Sequence, residues 1–223
     1  MKWKKFTFET VDSTNKTAMH YAVGSVIIAK QQTAGRGRYG KKWISEKGNL
    51  YMSIVLKNYG IQTPQMAFVV AVAVANALGI FGVNVHLKWP NDILLETSKV
   101  AGILLENMDD KLVVGIGVNC HSCPENLPYP VTHLHDLMSP ESLSDAILAE
   151  LNHSRCLFET HGFEPIRQLW KKMSVGLGKK ITVNLPTETL IGTFKDLGQS
   201  GALILEMPDK QLKEITAGAV FLI

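Results

Sequence analysis

Glycines alternate with arginines in Gly35-Arg36-Gly37-Arg38-Tyr39-Gly40, a run preceded by Gln31-Gln32-Thr33. Such glycines let the backbone close tightly around a ligand, and the forked donors of arginine suit phosphate or carboxylate oxygens. The run lacks the strand, helix and spacing of a dinucleotide fingerprint, and it is not a P-loop. Taken alone, it reads equally well as an ordinary solvent loop.

A second segment, Lys88-Trp89-Pro90-Asn91-Asp92, combines a rigid turn with a cation, an amide and a carboxylate. Asp92 is a candidate Mg²⁺ ligand, Asn91 offers both a donor and an acceptor, and Lys88 can orient phosphate. The plain alternative is a structural corner with Trp89 in the core and Lys88 in solvent. In the third segment, Lys99-Val100-Ala101-Gly102-Ile103-Leu104-Leu105-Glu106, a lysine stands just before a strand and Gly102 permits close approach. Lys99 alone reads more readily as a charged turn. Gly115-Ile116-Gly117-Val118-Asn119 ends the set with an amide at a strand terminus.

The elements that must position these residues can be read from periodicity and turn chemistry. Strands are predicted over 5–9, 26–29, 50–56, 101–106 and 112–118, and alternation at Val83, Val85 and Leu87 predicts another that delivers Lys88. Asp12-Ser13-Thr14-Asn15 supplies helix-capping side chains before a helix over 17–21. Thr63-Pro64 reads as a cap and first helical residue ahead of a core helix through the apolar run 66–78. Further helices are predicted over 140–159 and 165–173. Beyond Gly176, alternating Ile181, Val183 and Leu185 and frequent glycines predict a small antiparallel barrel, so domains are expected at 1–175 and 176–223.

Composition narrows the function classes. With 23 Lys and Arg against 20 Asp and Glu, the 223-residue chain carries a formal charge of +3, too mild for a dedicated nucleic-acid binder. No DNA-binding segment, signal peptide or membrane-length apolar run is recognised, so a cytoplasmic location with no DNA and no membrane partner is expected. Three cysteines, two of them in Cys120-His121-Ser122-Cys123, give a weak zinc signal and read as structural or incidental.

In their order and wording, DSTN at 12–15, QTAGRGRYG, KWPND, KVAGILLE and GIGVN resemble biotin-protein ligases. The resemblance covers about half the chain clearly and continues more weakly into its last part. It implies an α+β fold: a mixed-sheet, class II synthetase-like catalytic domain with helices, then an SH3-like barrel. It implies ATP and biotin as substrates, Mg²⁺ as cofactor, a biotin carboxyl carrier protein as partner, and a homodimer as a compatible assembly. Biotin is placed against Ser13, Thr14, Asn15, Gln32, Gly35, Arg36, Trp43, Lys99, Gly102 and Gly115. ATP is placed against Arg38, Trp43, Lys88, Asn91, Asp92, Lys99 and Asn119, with Arg36, Arg38 and Lys99 catalytic and Asp92 organising Mg²⁺. Trp170 is a candidate either for the adenine flank or for helix packing. Tyr39 stands where many relatives have another arginine. The alternatives are a lipoate-protein ligase and an inactive carrier-binding protein.

Overall fold

Strand alternation gives the central sheet two different faces. In the computed structural model, which describes residues 2–222, seven strands form it: β1 (Lys4–Val11), β2 (Ser25–Gln32), β3 (Leu50–Lys57), β4 (His86–Lys88), β5 (Asp92–Leu95), β6 (Ser98–Met108) and β7 (Lys111–Val118). Their order is β1-β2-β3-β7-β6-β5-β4, with β1 and β2 parallel and the other pairs antiparallel. On β3, Leu50, Met52, Ile54 and Leu56 enter the large core. Val55, facing the other way, joins Ala18, Ile27 and Val113 in a smaller cluster. Ser53 shares that second face, and it is there that the candidate site is built.

Four α-helices complete this part: α1 (Thr14–Ala18), α2 (Met66–Ile80), α3 (Pro140–His161) and α4 (Phe163–Met173). Twelve of the fifteen residues of α2 are buried, so it is apolar on nearly every side. A 3₁₀ segment, Gly60–Gln65, precedes it and contains Pro64; the Thr63 hydroxyl donates to Asn58 Oδ1 at 2.9 Å instead of capping α2. Together they give Gly60–Ile80 the length and hydropathy of a membrane span, a longer run than the sequence reading recognised, but 67% of the span's 18-residue window is buried within the protein. Ser139 caps α3 by accepting from the Ser142 amide, Pro140 occupies the first turn, and Gly162 (φ 73°) separates α3 from α4.

The second sheet contains β8 (Lys180–Asn184), β9 (Thr189–Leu197), β10 (Leu203–Glu206), β11 (Leu212–Ile215) and β12 (Ala219–Leu222), all antiparallel in the order β11-β10-β9-β8-β12. This is the expected SH3-like part. Its core is continuous with the first: Trp170 of α4 lies edge-on to Phe68 of α2 at 5.4 Å and near Phe194 of β9 at 6.4 Å. Trp170 is 1% exposed and packs between helices and the second sheet.

Three local expectations change. Val83 and Val85 are buried and Asn84 and His86 exposed, as alternation requires, but pairing begins only at His86. The four-residue β5 adds a strand between the predicted ones, beginning at Asp92 of the turn segment. Ser13 occupies the N-cap of α1 without a side-chain cap bond, and the helix spans Thr14–Ala18 where the sequence predicts 17–21, with Thr14 and Asn15 bonded to Gln32, Ser53 and Glu106.

Cys120 is buried, and burial pushes its thiol up to about 11. His121 pairs with Asp136 at 2.9 Å, and among the described residues no group of three His, Cys, Asp or Glu side chains could hold a metal. Cys156 is exposed. Iodoacetamide is expected to alkylate Cys156 readily and Cys120 roughly a hundredfold more slowly than an ordinary cysteine, because so little thiolate is present. Peptide mapping over time checks this, and equal labelling would contradict it. Trp170→Ala should cost about 3–5 kcal/mol in denaturant unfolding without changing nucleotide affinity of the folded protein. A selective loss of affinity would return Trp170 to the ligand.

Candidate active site

Missing side chains make the floor. In the register of β3, β7 and β6, Ser53 pairs with Gly115, which pairs with Leu104; on the next rung Tyr51 pairs with Gly117, which pairs with Gly102. A Cβ on Gly115 would stand 2.3 Å from Asn15 Oδ1, and one on Gly117 would stand 2.6 Å from the Trp43 ring. Asn15 and Trp43 therefore lie directly on bare backbone. Trp43 also covers Gly102, where an added Cβ would come within 3.0 Å of its ring, and the Trp43 Nε1 is buried without a partner.

A chain of polar side chains crosses this floor. The Thr14 amide donates to Gln32 Oε1 at 2.8 Å, and Gln32 Nε2 donates to the Ser45 hydroxyl at 2.9 Å, which fixes the orientation of the Gln32 amide. Ser53 Oγ lies 2.7 Å from Thr14 Oγ1 and 2.6 Å from Asn15 Oδ1. Ser53 has one hydrogen and Asn15 Oδ1 only accepts, so Ser53 donates to Asn15 and accepts from Thr14, whose hydroxyl also lies 3.1 Å from Gln32 Oε1. Asn15 Nδ2 then donates to Glu106 Oε2 at 2.7 Å. The chain thus leaves acceptor capacity on Gln32 Oε1 and Thr14 Oγ1, both beside the cavity.

The glycine-rich run is a narrow hairpin. Trp43 N–H donates to the Gly35 carbonyl at 2.9 Å and Gly37 N–H to the Lys41 carbonyl at 2.7 Å, closing a loop whose tip is Arg38-Tyr39-Gly40. Tyr39 takes a left-handed conformation (φ 56°), unusual for a side chain of this size. Its hydroxyl accepts from Arg38 at 3.0 Å, and the guanidinium lies 4.8 Å from its ring centre. Arg38 also donates to Asn91 Oδ1 at 3.2 Å, joining the hairpin tip to the β4–β5 turn. Asn91 is held in place by its own Nδ2, which donates to the Ile103 carbonyl at 2.7 Å.

These groups surround a cavity of about 450 Å³, within the range of small-molecule sites. Six cations border it, Arg36, Arg38, Lys41, Lys42, Lys88 and Lys99, against one carboxylate, Asp92. Asp92 pairs with Lys99 at 2.5 Å and faces Lys88 across the β4–β5 register. Burial holds the Lys88 ammonium below the usual lysine range, opposed by Asp92 and reinforced by Lys99. Lys99 also lies 5.3 Å from the Trp43 ring centre. So strong an excess of positive charge suits a polyanion.

Of the residues named from sequence, Ser13, Thr14, Asn15, Gln32, Arg36, Arg38, Trp43, Lys88, Asn91, Asp92, Lys99, Gly102 and Gly115 all border this cavity. Gly35 and Asn119 do not. Gly35 is required by close packing: a Cβ would stand 2.4 Å from the Trp43 carbonyl and 2.6 Å from Ser45 Oγ. Asn119 is 3% exposed and donates to the Thr132 carbonyl at 3.0 Å, fixing the segment whose Pro130 and Thr132 pair with the Lys99 backbone. Sequence reasoning missed Ser53, Glu106 and β12. A serine in the otherwise apolar run Leu50-Tyr51-Met52-Ser53-Ile54-Val55-Leu56 was the available signal for Ser53; β12, whose residues Ala219 to Leu222 border the cavity, carried none.

Comparison with known proteins agrees with this geometry. The family model described as "Biotin/lipoate A/B protein ligase family" matches residues 7–122, and "Biotin protein ligase C terminal domain" matches residues 176–223. The chain is 34% identical over 220 residues to a biotin--[acetyl-CoA-carboxylase] ligase of Paracoccus denitrificans, covering 88% of this chain and 92% of that one. It is 35% identical to the bifunctional ligase/repressor BirA of Bacillus subtilis, over 89% of this chain and 68% of the relative. The structure of biotin protein ligase from Aquifex aeolicus in complex with biotin and ATP superposes with a TM-score of 0.87 at 27% identity, covering 99% of this chain and 98% of that one. The matched segments contain both the polar floor and the ring of cations, and the chain belongs to the biotin/lipoate A/B protein ligase family, in its biotin protein ligase branch.

Proposed function

We propose that this chain activates biotin with ATP and passes it to a lysine of a biotin carboxyl carrier protein, acting in the cytoplasm where ATP is at hand. One observation carries the reading: a single cavity joins a hydrogen-bonding floor to a ring of six cations. The cyclic urea of biotin has two N–H donors, which suit the acceptors left on Gln32 Oε1 and Thr14 Oγ1. The dithiolane of lipoate offers no such donors. Glycines at 102, 115 and 117 let Asn15 and Trp43 lie close against the sheet, and Trp43 supplies an apolar wall to the cavity.

In the first step the biotin carboxylate oxygen attacks the α-phosphorus of ATP, forming biotinyl-5′-adenylate and releasing pyrophosphate. A lysine amine of the acceptor then attacks the carbonyl of the mixed anhydride, forming the amide and releasing AMP. Arg36, Arg38 and Lys99 offset charge that grows on phosphate and carboxylate oxygens in these steps. Arg38, bridging to Asn91, closes the hairpin over the cavity and limits access of water to the anhydride. For Mg²⁺, Asp92 is the protein ligand available on the cavity wall. One carboxylate with substrate phosphates fits the usual Mg²⁺ set, and the ion would neutralise the polyphosphate.

Purified protein with ATP, Mg²⁺ and either biotin or lipoate is expected to release pyrophosphate and form acyl-adenylate with biotin, and at least tenfold more slowly with lipoate. Comparable use of lipoate, or release with neither acid, would overturn the proposal. Arg38→Ala should let biotinyl-adenylate appear free in solution, which chromatography of the filtrate detects; retention equal to wild type would remove Arg38 from that role. Gly115→Ala forces Asn15 aside and should weaken biotin binding about tenfold, roughly 1.4 kcal/mol, with ATP affinity within twofold. Calorimetry for each ligand checks this, and unchanged biotin affinity would refute it.

A further inference from the structure

Glu106 borders no part of the cavity, yet two residues that do border it converge on its carboxylate. Asn15 Nδ2 donates to Oε2 at 2.7 Å, and Arg36 reaches Oε1 at 3.1 Å and Oε2 at 3.2 Å. The carboxylate is 23% exposed, whereas the Arg36 side chain is 43% exposed. The anchor is thus more sheltered than the group it holds. On β6, Glu106 shares a face with Gly102 and Leu104, the face on which the glycine rungs lie. The polar chain therefore runs without a break from Gln32 through Thr14, Ser53, Asn15 and Glu106 to Arg36, from the floor to the hairpin.

We propose that Glu106 is a positioning residue that latches Arg36, and with it the glycine-rich hairpin, to the polar floor where the ligand head group is held. A carboxylate is suited to this because it accepts from an amide and a guanidinium at once, the second as a charge-assisted pair. Asn15 is oriented by Ser53, so a ligand that orders Thr14 and Gln32 also stiffens the acceptor that fixes Arg36. The coupling to biotin rests on the ligase reading; the latch itself does not.

Two measurements keep these apart. Trypsin has cleavage sites in the hairpin after Arg36, Arg38, Lys41 and Lys42. In the ligand-free protein, Glu106→Gln, which preserves shape and an acceptor for Asn15 but removes the charge that holds Arg36, should speed cleavage after Arg38 to Lys42 at least fivefold, with an unchanged melting curve. Arg36→Ala should do the same. Cleavage at the wild-type rate in Glu106→Gln would overturn the latch whether or not the protein ligates biotin. In biotin-dependent pyrophosphate release, Glu106→Gln should lower kcat/KM for biotin about tenfold, and the double variant should fall within twofold of Arg36→Ala alone. Effects of the two changes that multiply would overturn the coupling. Absence of biotin-dependent release in the wild type would sink the ligase reading and its coupling together, leaving the cleavage result to decide the latch.

Discussion

A single hydroxyl proton at Ser53 sets the direction of hydrogen bonding across the site. Ser53 is fully buried between β2 and β7, and its Oγ touches both Thr14 and Asn15. Once that proton is given to Asn15, the orientation of each neighbour follows: Asn15 presents its amide hydrogens to Glu106, and Thr14 gives its own proton back to Ser53. A buried polar group left unpaired costs about 1–3 kcal/mol, so no single member of the chain can turn without penalty. The floor is held by a continuous set of hydrogen bonds, and the two glycine rungs provide the space in which they are made.

Electrostatics at the opposite end of the cavity obey a different rule. Asp92 pairs with Lys99 and Glu106 with Arg36, too little to neutralise all six cations, and the protein holds them on separate elements: Arg36 to Lys42 on the hairpin, Lys88 on β4 and Lys99 on β6. A polyanion in the cavity would relieve their mutual repulsion. Lys88 bears a separate cost: burial disfavours its charged form, Asp92 opposes this, and Lys99 adds a lesser push in the same direction as burial. On the proposed reading, the polar floor selects the acid and the cationic rim compensates charge during its activation.

The motifs made most of this legible in the sequence, because their residues are chemical and local. GRGRYG, KWPND and KVAGILLE place arginines, an amide, a carboxylate and a lysine on loops or strand ends, and nearly all of them meet in one cavity. What stayed hidden depends on cross-strand register. Ser53 becomes functional only because β3 pairs it with Gly115, under Asn15. Asn119 and Gly35 show the converse: an amide at a strand end and a glycine in a loop have the same letters whether they face ligand or pack beneath it. Trp170 was ambiguous for the same reason, since an aromatic beside lysines marks a stacking platform no more than a helix interface.

The β4–β5 turn ties the active site to the small domain. Trp89 is buried, and its Nε1 donates to the Gly201 carbonyl at 3.1 Å, while Asn91 and Asp92 of the same turn face Arg38 and Lys99. Gly201 itself has no room for a side chain, because a Cβ there would meet the Phe68 ring at 2.5 Å. From the same domain, Phe221 of β12 stands 5.3 Å from the Lys88 ammonium. The turn is therefore fixed from behind by the small domain and read from the front by the hairpin. One apolar core runs through both parts, so the turn and the small domain are packed as a unit. The small domain thus holds the one turn that carries both the amide and the carboxylate, and its own β12 borders the cavity.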